Sequence, residues 1–294
     1  MFKYKGKEVF IISDILFYFL MSRTGHWQYI PRLGLARLIR RERLPRGMEI
    51  SKDHPRYRSL VTRERMSELV REGVVAPTGL IAHGRGEAFD YLLGERTVPA
   101  ANHAARAAAA YLLEAESPVI TVNGNAAGLC AEGLISLARA VPARLEVNLF
   151  HRSPERVERV CRYLENAGAS DLLGREQDAW LEGIASDRAR CAVDGIRAAD
   201  VVLIPLEDGD RAAALAAAGK VVLAIDLNPL SRTAVAAKVA VVDELTRAVP
   251  NIERHLIELR DLPDERRRLI AEFSNEQNLE RMRNAMCETL HQKG

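Results

Sequence analysis

The sequence is poor in cysteine, poor in aromatics and almost balanced in charge. Its four cysteines, Cys130, Cys161, Cys191 and Cys287, are scattered over 294 residues with no CxxC pair. That excludes zinc-finger spacing and a dense disulfide framework, and suits a reducing, cytoplasmic setting. A net charge of +2 lacks the positive field on which a nucleic-acid binder relies. No apolar run approaches the roughly 20 residues that span a bilayer. Walker, GxGxxG, GxSxG and HExxH signatures are also missing, so four common site chemistries have no motif to rest on. What remains is an ordinary globular composition, 48% apolar and 28% charged.

The first fifty residues differ from the rest. Lys3, Lys5 and Lys7 precede an apolar run from Val9 to Met21, interrupted by Ser13 and Asp14. This has the outline of a signal peptide, but it is short and no small-residue cleavage site follows. A basic cluster comes next: Arg32, Arg37, Arg40, Arg41, Arg43 and Arg46. Such a segment would suit membrane or RNA contact; the alternative is that translation begins at Met48. Residues 1–50 are therefore expected to be a non-homologous or disordered extension. Residues 51–294 are expected to form one domain: a helical part (51–116), a core (117–243) and C-terminal helices (244–294).

From Ser51 the punctuation is regular. Asp53 is placed to cap a helix that ends at Gly73. A glycine-rich turn is expected from Thr78 to Gly86, with a new helix from Glu87. Ala100–Ala115 is helical by propensity. β-Branched runs at 118–123, 144–150, 201–205, 221–226 and 238–243 then alternate with helical stretches, and 244–292 reads as helix broken near Asp261–Asp264. This alternation predicts an α/β fold, a Rossmann-like and mainly parallel sheet with covering helices and helical flanks at both ends.

Ligands of such sheets bind beyond the carboxyl ends of the strands, where polar residues recur here. The runs end at Asn123-Gly124-Asn125, His151-Arg152, Glu207-Asp208-Gly209-Asp210, Asp226-Leu227-Asn228-Pro229 and Asp243-Glu244. Asp226 and Asn228 suit ribose hydroxyls and Arg232 suits a phosphate, although Pro229 also reads as a simple turn former. Gly79, Gly84 and Gly86 would let backbone amides approach an anion, with the Glu87 helix adding its positive end. Arg85 supplies fixed charge there, and His83 either binds phosphate, moves a proton or merely sits in a turn. Arg63 reads as a solvated charge unless its helix turns it towards that loop. Glu207, Asp208 and Asp210 offer carboxylates to Mg²⁺ or an amine; alternatively Asp208 only caps the next helix.

Several blocks resemble archaeal phosphopantothenate synthetase, also called 4-phosphopantoate–β-alanine ligase. They are Lys52–Tyr57, Gly79–Tyr91, Gly94–Thr97, Val122–Asn125, Leu145–Phe150, Pro205–Arg211 and Asp226–Arg232, in that order. The resemblance runs from about Ser51 to Asp243. It implies ATP-dependent condensation of 4-phosphopantoate with β-alanine, through an acyl-adenylate, in coenzyme A biosynthesis. It also implies a cytoplasmic homodimer that uses Mg²⁺ and binds neither nucleic acid nor membrane. On this resemblance Arg63, Arg85, Asp226, Leu227, Asn228, Arg232, Thr233, Glu244 and Leu245 would hold the nucleotide. Asn123, Asn125 and Arg152 would hold phosphopantoate, and His83, Asp208 and Asp210 would serve catalysis. A dinucleotide-dependent oxidoreductase is the competing reading, disfavoured because no GxGxxG opens a βα turn.

Overall fold

In the computed structural model the described residues are 2–4, 7–10, 18–21, 27–30, 50–184 and 189–293, in two compact units, Met1–Tyr57 and Arg58–Gly294. In the first unit β1 (Phe2–Tyr4), β2 (Lys7–Phe10), β3 (Tyr18–Met21) and β4 (Trp27–Ile30) pair as an antiparallel meander in that order. The apolar run from Val9 to Met21 is thus shared between two strands. The arginine cluster at 32–46 and Met48 lie outside the described residues.

Helix α1 (Tyr57–Glu72) begins too late for Asp53 to cap it, and Gly73, at φ +79°, ends it as expected. The glycine-rich turn is not a turn. Residues 77–93 form one continuous helix, α2 (Pro77–Leu93), entered through proline and stopped by left-handed Gly94. Gly79 and Gly86 serve close approach instead, while Gly84 faces open space. A Cβ on Gly79 would lie 2.2 Å from Asn125 Oδ1, and one on Gly86 would lie 3.0 Å from Leu227 Cδ1. Each glycine costs a helix about 1 kcal/mol relative to alanine, and tertiary packing overrides that preference here. There is accordingly no helix N-terminus at Glu87 and no backbone anion cradle along 79–86.

The remaining elements follow the expected alternation: α3 (Pro99–Glu114), β5 (Val119–Val122), α4 (Gly124–Ala140), β6 (Arg144–Val147) and α5 (Pro154–Asn166). A short antiparallel pair, β7 (Ala179–Trp180) and β8 (Arg190–Cys191), interrupts the series. Then come β9 (Val201–Pro205), α6 (Gly209–Ala217), β10 (Val221–Asp226), α7 (Arg232–Ala236) and β11 (Val239–Val242). Helices α8 (Leu245–Leu259), α9 (Pro263–Glu272) and α10 (Asn275–Lys293) close the chain.

Strands β5, β6, β9, β10 and β11 form a parallel sheet in the spatial order β11-β10-β9-β5-β6. Numbered from β5, this is the doubly wound order 2-1-3-4-5, whose direction reverses between β5 and β9. Both faces are covered, so β9 is buried at every position. Its alternation sorts the core: Val201 and Leu203 join the layer of α3, α4, α5 and α8, while Val202 and Ile204 face α6, α7 and α10. Full burial of each such side chain contributes about 1.5–3 kcal/mol. Buried alanines of α3, Ala104, Ala105 and Ala107 to Ala110, let α8 pack closely against it.

Candidate active site

All five strands of this sheet deliver residues to one cavity of about 460 Å³ at their carboxyl ends. Asn123, Gly124 and Asn125 follow β5, and Leu149 to His151 follow β6. Leu206 and Asp208 follow β9, Leu227 follows β10, and Glu244 to Arg247 follow β11. Helix α2 closes the space with Gly79, His83, Arg85, Glu87 and Asp90, and α1 adds Arg58 and Ser59. The cavity therefore lies over the switch between β5 and β9, where an open α/β sheet has a natural crevice.

Asn123 ties that switch together. Its Oδ1 accepts from the Ala126 amide at 3.0 Å, capping α4, while Nδ2 donates to the Pro205 and Leu206 carbonyls at 3.0 and 2.9 Å. The side chain was expected to hold substrate, yet both of its N–H groups are spent on β9. Leu206 takes a left-handed φ of +51° to present that carbonyl, a conformation that costs a non-glycine residue free energy and recurs at ligand sites. Asn125 is likewise engaged, donating from Nδ2 to the Gly79 carbonyl at 2.9 Å.

His83 lies on the cavity wall beside Glu87. Burial lowers its pKa, the Glu87 charge opposes the shift, and Arg63 adds to it. The ring is therefore a neutral imidazole at pH 7, able to accept a proton. Glu87 accepts from Ser59 Oγ and from Arg63 Nε at 3.0 Å and Nη2 at 2.5 Å. Burial pushes its carboxyl up, but these hydrogen bonds outweigh it and hold Glu87 below the usual carboxylate range. Arg63 is thus a counter-ion at the rim and does not line the cavity; Arg85 does line it.

The acidic cluster after β9 splits three ways. Glu207 turns inward towards fully buried Arg211, 3.8 Å away; Asp208 lines the cavity; and Asp210 points out to pair with Arg232 at 2.9 Å. Asp210 and Arg232 are both largely exposed, and neither lines the cavity. Asp208 occupies the N-cap position of α6 without a side-chain capping bond. Among the described residues, no three or more His, Cys, Asp or Glu side chains cluster as a metal site.

Of the expected nucleoside contacts, Leu227, Glu244 and Leu245 line the cavity. Asp226 stands behind Leu227 and holds its turn, accepting from the amides of Leu227 and Asn228 at 2.7 and 3.2 Å and from Ser231 Oγ. Burial raises its pKa despite these bonds. Asn228 does not reach the cavity either; its Oδ1 accepts from the Leu230 amide at 2.9 Å. Thr233 is buried and donates to the Glu207 carbonyl at 2.7 Å. Glu244 caps α8 through the Thr246 amide at 2.8 Å, and burial raises its pKa as well. Arg152 turns away from the cavity to donate to the Gly174 and Arg175 carbonyls at 3.1 and 3.2 Å.

The sequence reading missed Arg58, Asp90, Arg156 and Arg247, which line the cavity together with His151, one of the expected polar strand ends. Arg247 donates to Asp90 Oδ2 at 3.1 Å and to Asp243 Oδ1 from Nε at 3.0 Å and Nη2 at 2.7 Å. Burial disfavours its charge, but the two carboxylates outweigh that and hold the guanidinium firmly protonated. The i,i+4 spacing of Asp243 and Arg247 just past a strand end was the available signal. Arg156 also carried one, since it follows a Ser-Pro helix start by the three residues that place it in the first turn.

Fold and site define the class: an α/β protein whose cleft, at the reversal of a doubly wound parallel sheet, is lined by arginines. Residues 100–289 match the model of the phosphopantothenate/pantothenate synthetase family. A 4-phosphopantoate–β-alanine ligase of Methanosarcina mazei is 48% identical over 232 residues, covering 79% of this chain and 91% of the relative. The ligase of the same name from Methanospirillum hungatei is 52% identical over 210 residues, 71% of this chain and 86% of its own. That of Thermococcus kodakarensis is 46% identical over 234 residues, 79% and 90% respectively. The chain belongs to the phosphopantothenate/pantothenate synthetase family.

Proposed function

We propose that this chain joins 4-phosphopantoate to β-alanine at the expense of ATP, yielding 4′-phosphopantothenate, AMP and diphosphate in coenzyme A biosynthesis. The observation that carries this reading is the charge pattern of the cleft. Glu87 and Asp90 have their own arginine partners, whereas Arg58, Arg85 and Arg156 line the same space with no ion pair among the described residues. Polyanionic substrates supply the missing counter-charge.

In this reading the carboxylate of the acid attacks the α-phosphorus of ATP, and diphosphate leaves. The amine of β-alanine then attacks the acyl carbon, the acyl–oxygen bond breaks, and AMP leaves. A carboxylate needs no base to attack, so the protein's task is to align two anions and neutralise the charge between them. The amine must first lose a proton, for which neutral His83 is the candidate acceptor. The nucleoside lies over Leu227 and Leu245, with Glu244 beside it. Asp208, together with the nucleotide phosphates, would hold Mg²⁺, which would supply charge neutralisation between them. We take the enzyme to be a cytoplasmic homodimer; among the described residues no helix is long and apolar enough to cross a membrane.

The test mixes the protein with ATP, Mg²⁺, 4-phosphopantoate and β-alanine and follows AMP and 4′-phosphopantothenate. AMP release that requires both substrates is expected. ADP as the nucleotide product would replace the adenylate by an acyl phosphate, and no nucleotide turnover would overturn the reading. Residues 51–294 are taken to carry the activity, so a chain lacking residues 1–50 should retain it; loss of turnover in a folded truncation would show that the first unit takes part.

A further inference from the structure

Arg156 is an expensive residue in its position. Ser153 caps α5 through the Arg156 amide at 3.2 Å, which fixes Arg156 in the first turn, where the helix dipole favours anions and disfavours cations. The guanidinium is half-buried on the cavity wall, burial lowers its pKa, and among the described residues no carboxylate pairs with it. Its Nη1 donates to the His151 carbonyl at 2.7 Å. Its Nε is buried without a hydrogen bond, and among the described residues no protein group accepts from Nη2. Nη2, which is not buried, is the donor left to meet an oxygen of an anion in the cavity. Glycine makes the room: a Cβ on Gly124 would lie 2.4 Å from the Val74 carbonyl oxygen and 3.1 Å from Arg156 Nη2.

Position along the sheet selects the ligand group. Arg156 follows β6, at one edge, while Leu227 follows β10, three strand spacings or about 14 Å away in the order β10-β9-β5-β6. The acid's carboxylate must meet the α-phosphate between these points, so the distal end of the acid extends towards β6. Building on the ligase reading above, we infer that Arg156 receives the phosphate of the phosphorylated acid and sets the preference for it over the unphosphorylated acid. The neighbouring helix terminus adds positive potential to the same spot.

The test compares wild type, Arg156→Gln and Arg156→Lys with 4-phosphopantoate, pantoate, ATP and β-alanine as varied substrates. Arg156→Gln should raise KM for 4-phosphopantoate about tenfold or more, the loss expected for a charge-assisted hydrogen bond. KM for ATP and β-alanine should stay within about twofold, and the advantage of 4-phosphopantoate over pantoate should shrink. Lysine, keeping the charge but not the guanidinium geometry, should recover part of the loss. A rise confined to KM for ATP would move Arg156 to the nucleotide phosphates and overturn the assignment. A fall in kcat alone would do the same, reducing Arg156 to a tie for the His151 carbonyl. Should Arg156→Gln not fold, inorganic phosphate titrated into wild type and Arg156→Lys decides by thermal shift: stabilisation weaker in lysine supports the assignment, and equal shifts refute it. Wild type without ligase activity would defeat the ligase reading, while the phosphate titration would still judge Arg156.

Discussion

Replacing Asn123 by alanine separates two roles that one side chain at a cavity wall can have. The structure gives it three hydrogen bonds, one capping α4 and two holding the β9 end across the switch point. Loss of an N-cap costs about 1 kcal/mol. Each donated bond is worth about 1 kcal/mol net, and more where a buried carbonyl is left without a partner. The sum is about 3 kcal/mol, which lowers Tm by about 6–12 °C in a chain of this size. Urea unfolding followed by circular dichroism measures it, with the midpoint falling at unchanged slope. Asn123→Asp sharpens the experiment, because aspartate keeps the capping acceptor and loses both donors. It should therefore be as damaging as alanine, or worse, since a carboxylate would face two carbonyl oxygens. Tm within about 2 °C of wild type, combined with a raised substrate KM, would refute this account and make Asn123 a ligand residue.

Arg85 is exposed to the cavity and makes no ion pair among the described residues, so Arg85→Ala should cut turnover by tenfold or more and cost about 0.5 kcal/mol of stability at most; equal loss of folding and activity would make it structural. Arg247→Ala removes the partner of two carboxylates and should cost about 3–5 kcal/mol, with Arg247→Ala/Asp90→Asn recovering part of it in a double-mutant cycle. His83 titrates below its ordinary value of 6.5, so the acid limb of kcat/KM should fall below that pH. Arg63→Gln should move the limb upward, because Arg63 repels the imidazolium directly and also neutralises the Glu87 charge that favours it; a pH profile unchanged by Arg63→Gln would remove His83 from the proton transfer.

Strand content was legible because it rests on local pattern. Each β-branched run of five to seven residues became a strand of four to six, and each polar strand end arrived at the cavity or directly behind it. Helix α2 was illegible for a definite reason. Gly79, Gly84 and Gly86 read as a phosphate-binding turn, but glycine also serves where another segment touches a helix face. Only the fold reveals that Asn125 and Leu227 are those segments. Strand order escaped the sequence too, since β5 pairs with β9 some eighty residues downstream and no local signal selects that partner. The same limit hid Asp90 and Arg247, which meet across 157 residues of chain. Arg232 and Asp210 went the other way. Each fits the chemistry expected at a strand end, yet they satisfy each other on the surface.

These outcomes share a cause that bears on how the cleft reads its ligands. A polar side chain at a strand end has either a protein partner or a ligand partner, and sequence does not distinguish the two. Asn123, Asn125, Arg152, Asp226 and Thr233 spend their hydrogen bonds on backbone, building the walls. Glu87 and Asp90 spend their charge on Arg63 and Arg247. Pairing of Glu87 and Asp90 leaves Arg58, Arg85 and Arg156 to set the local field together with Asp208 and Glu244, in a chain whose net charge is only +2. On the ligase reading, selectivity for anions is a product of which charges the fold neutralises, and composition carries almost none of it.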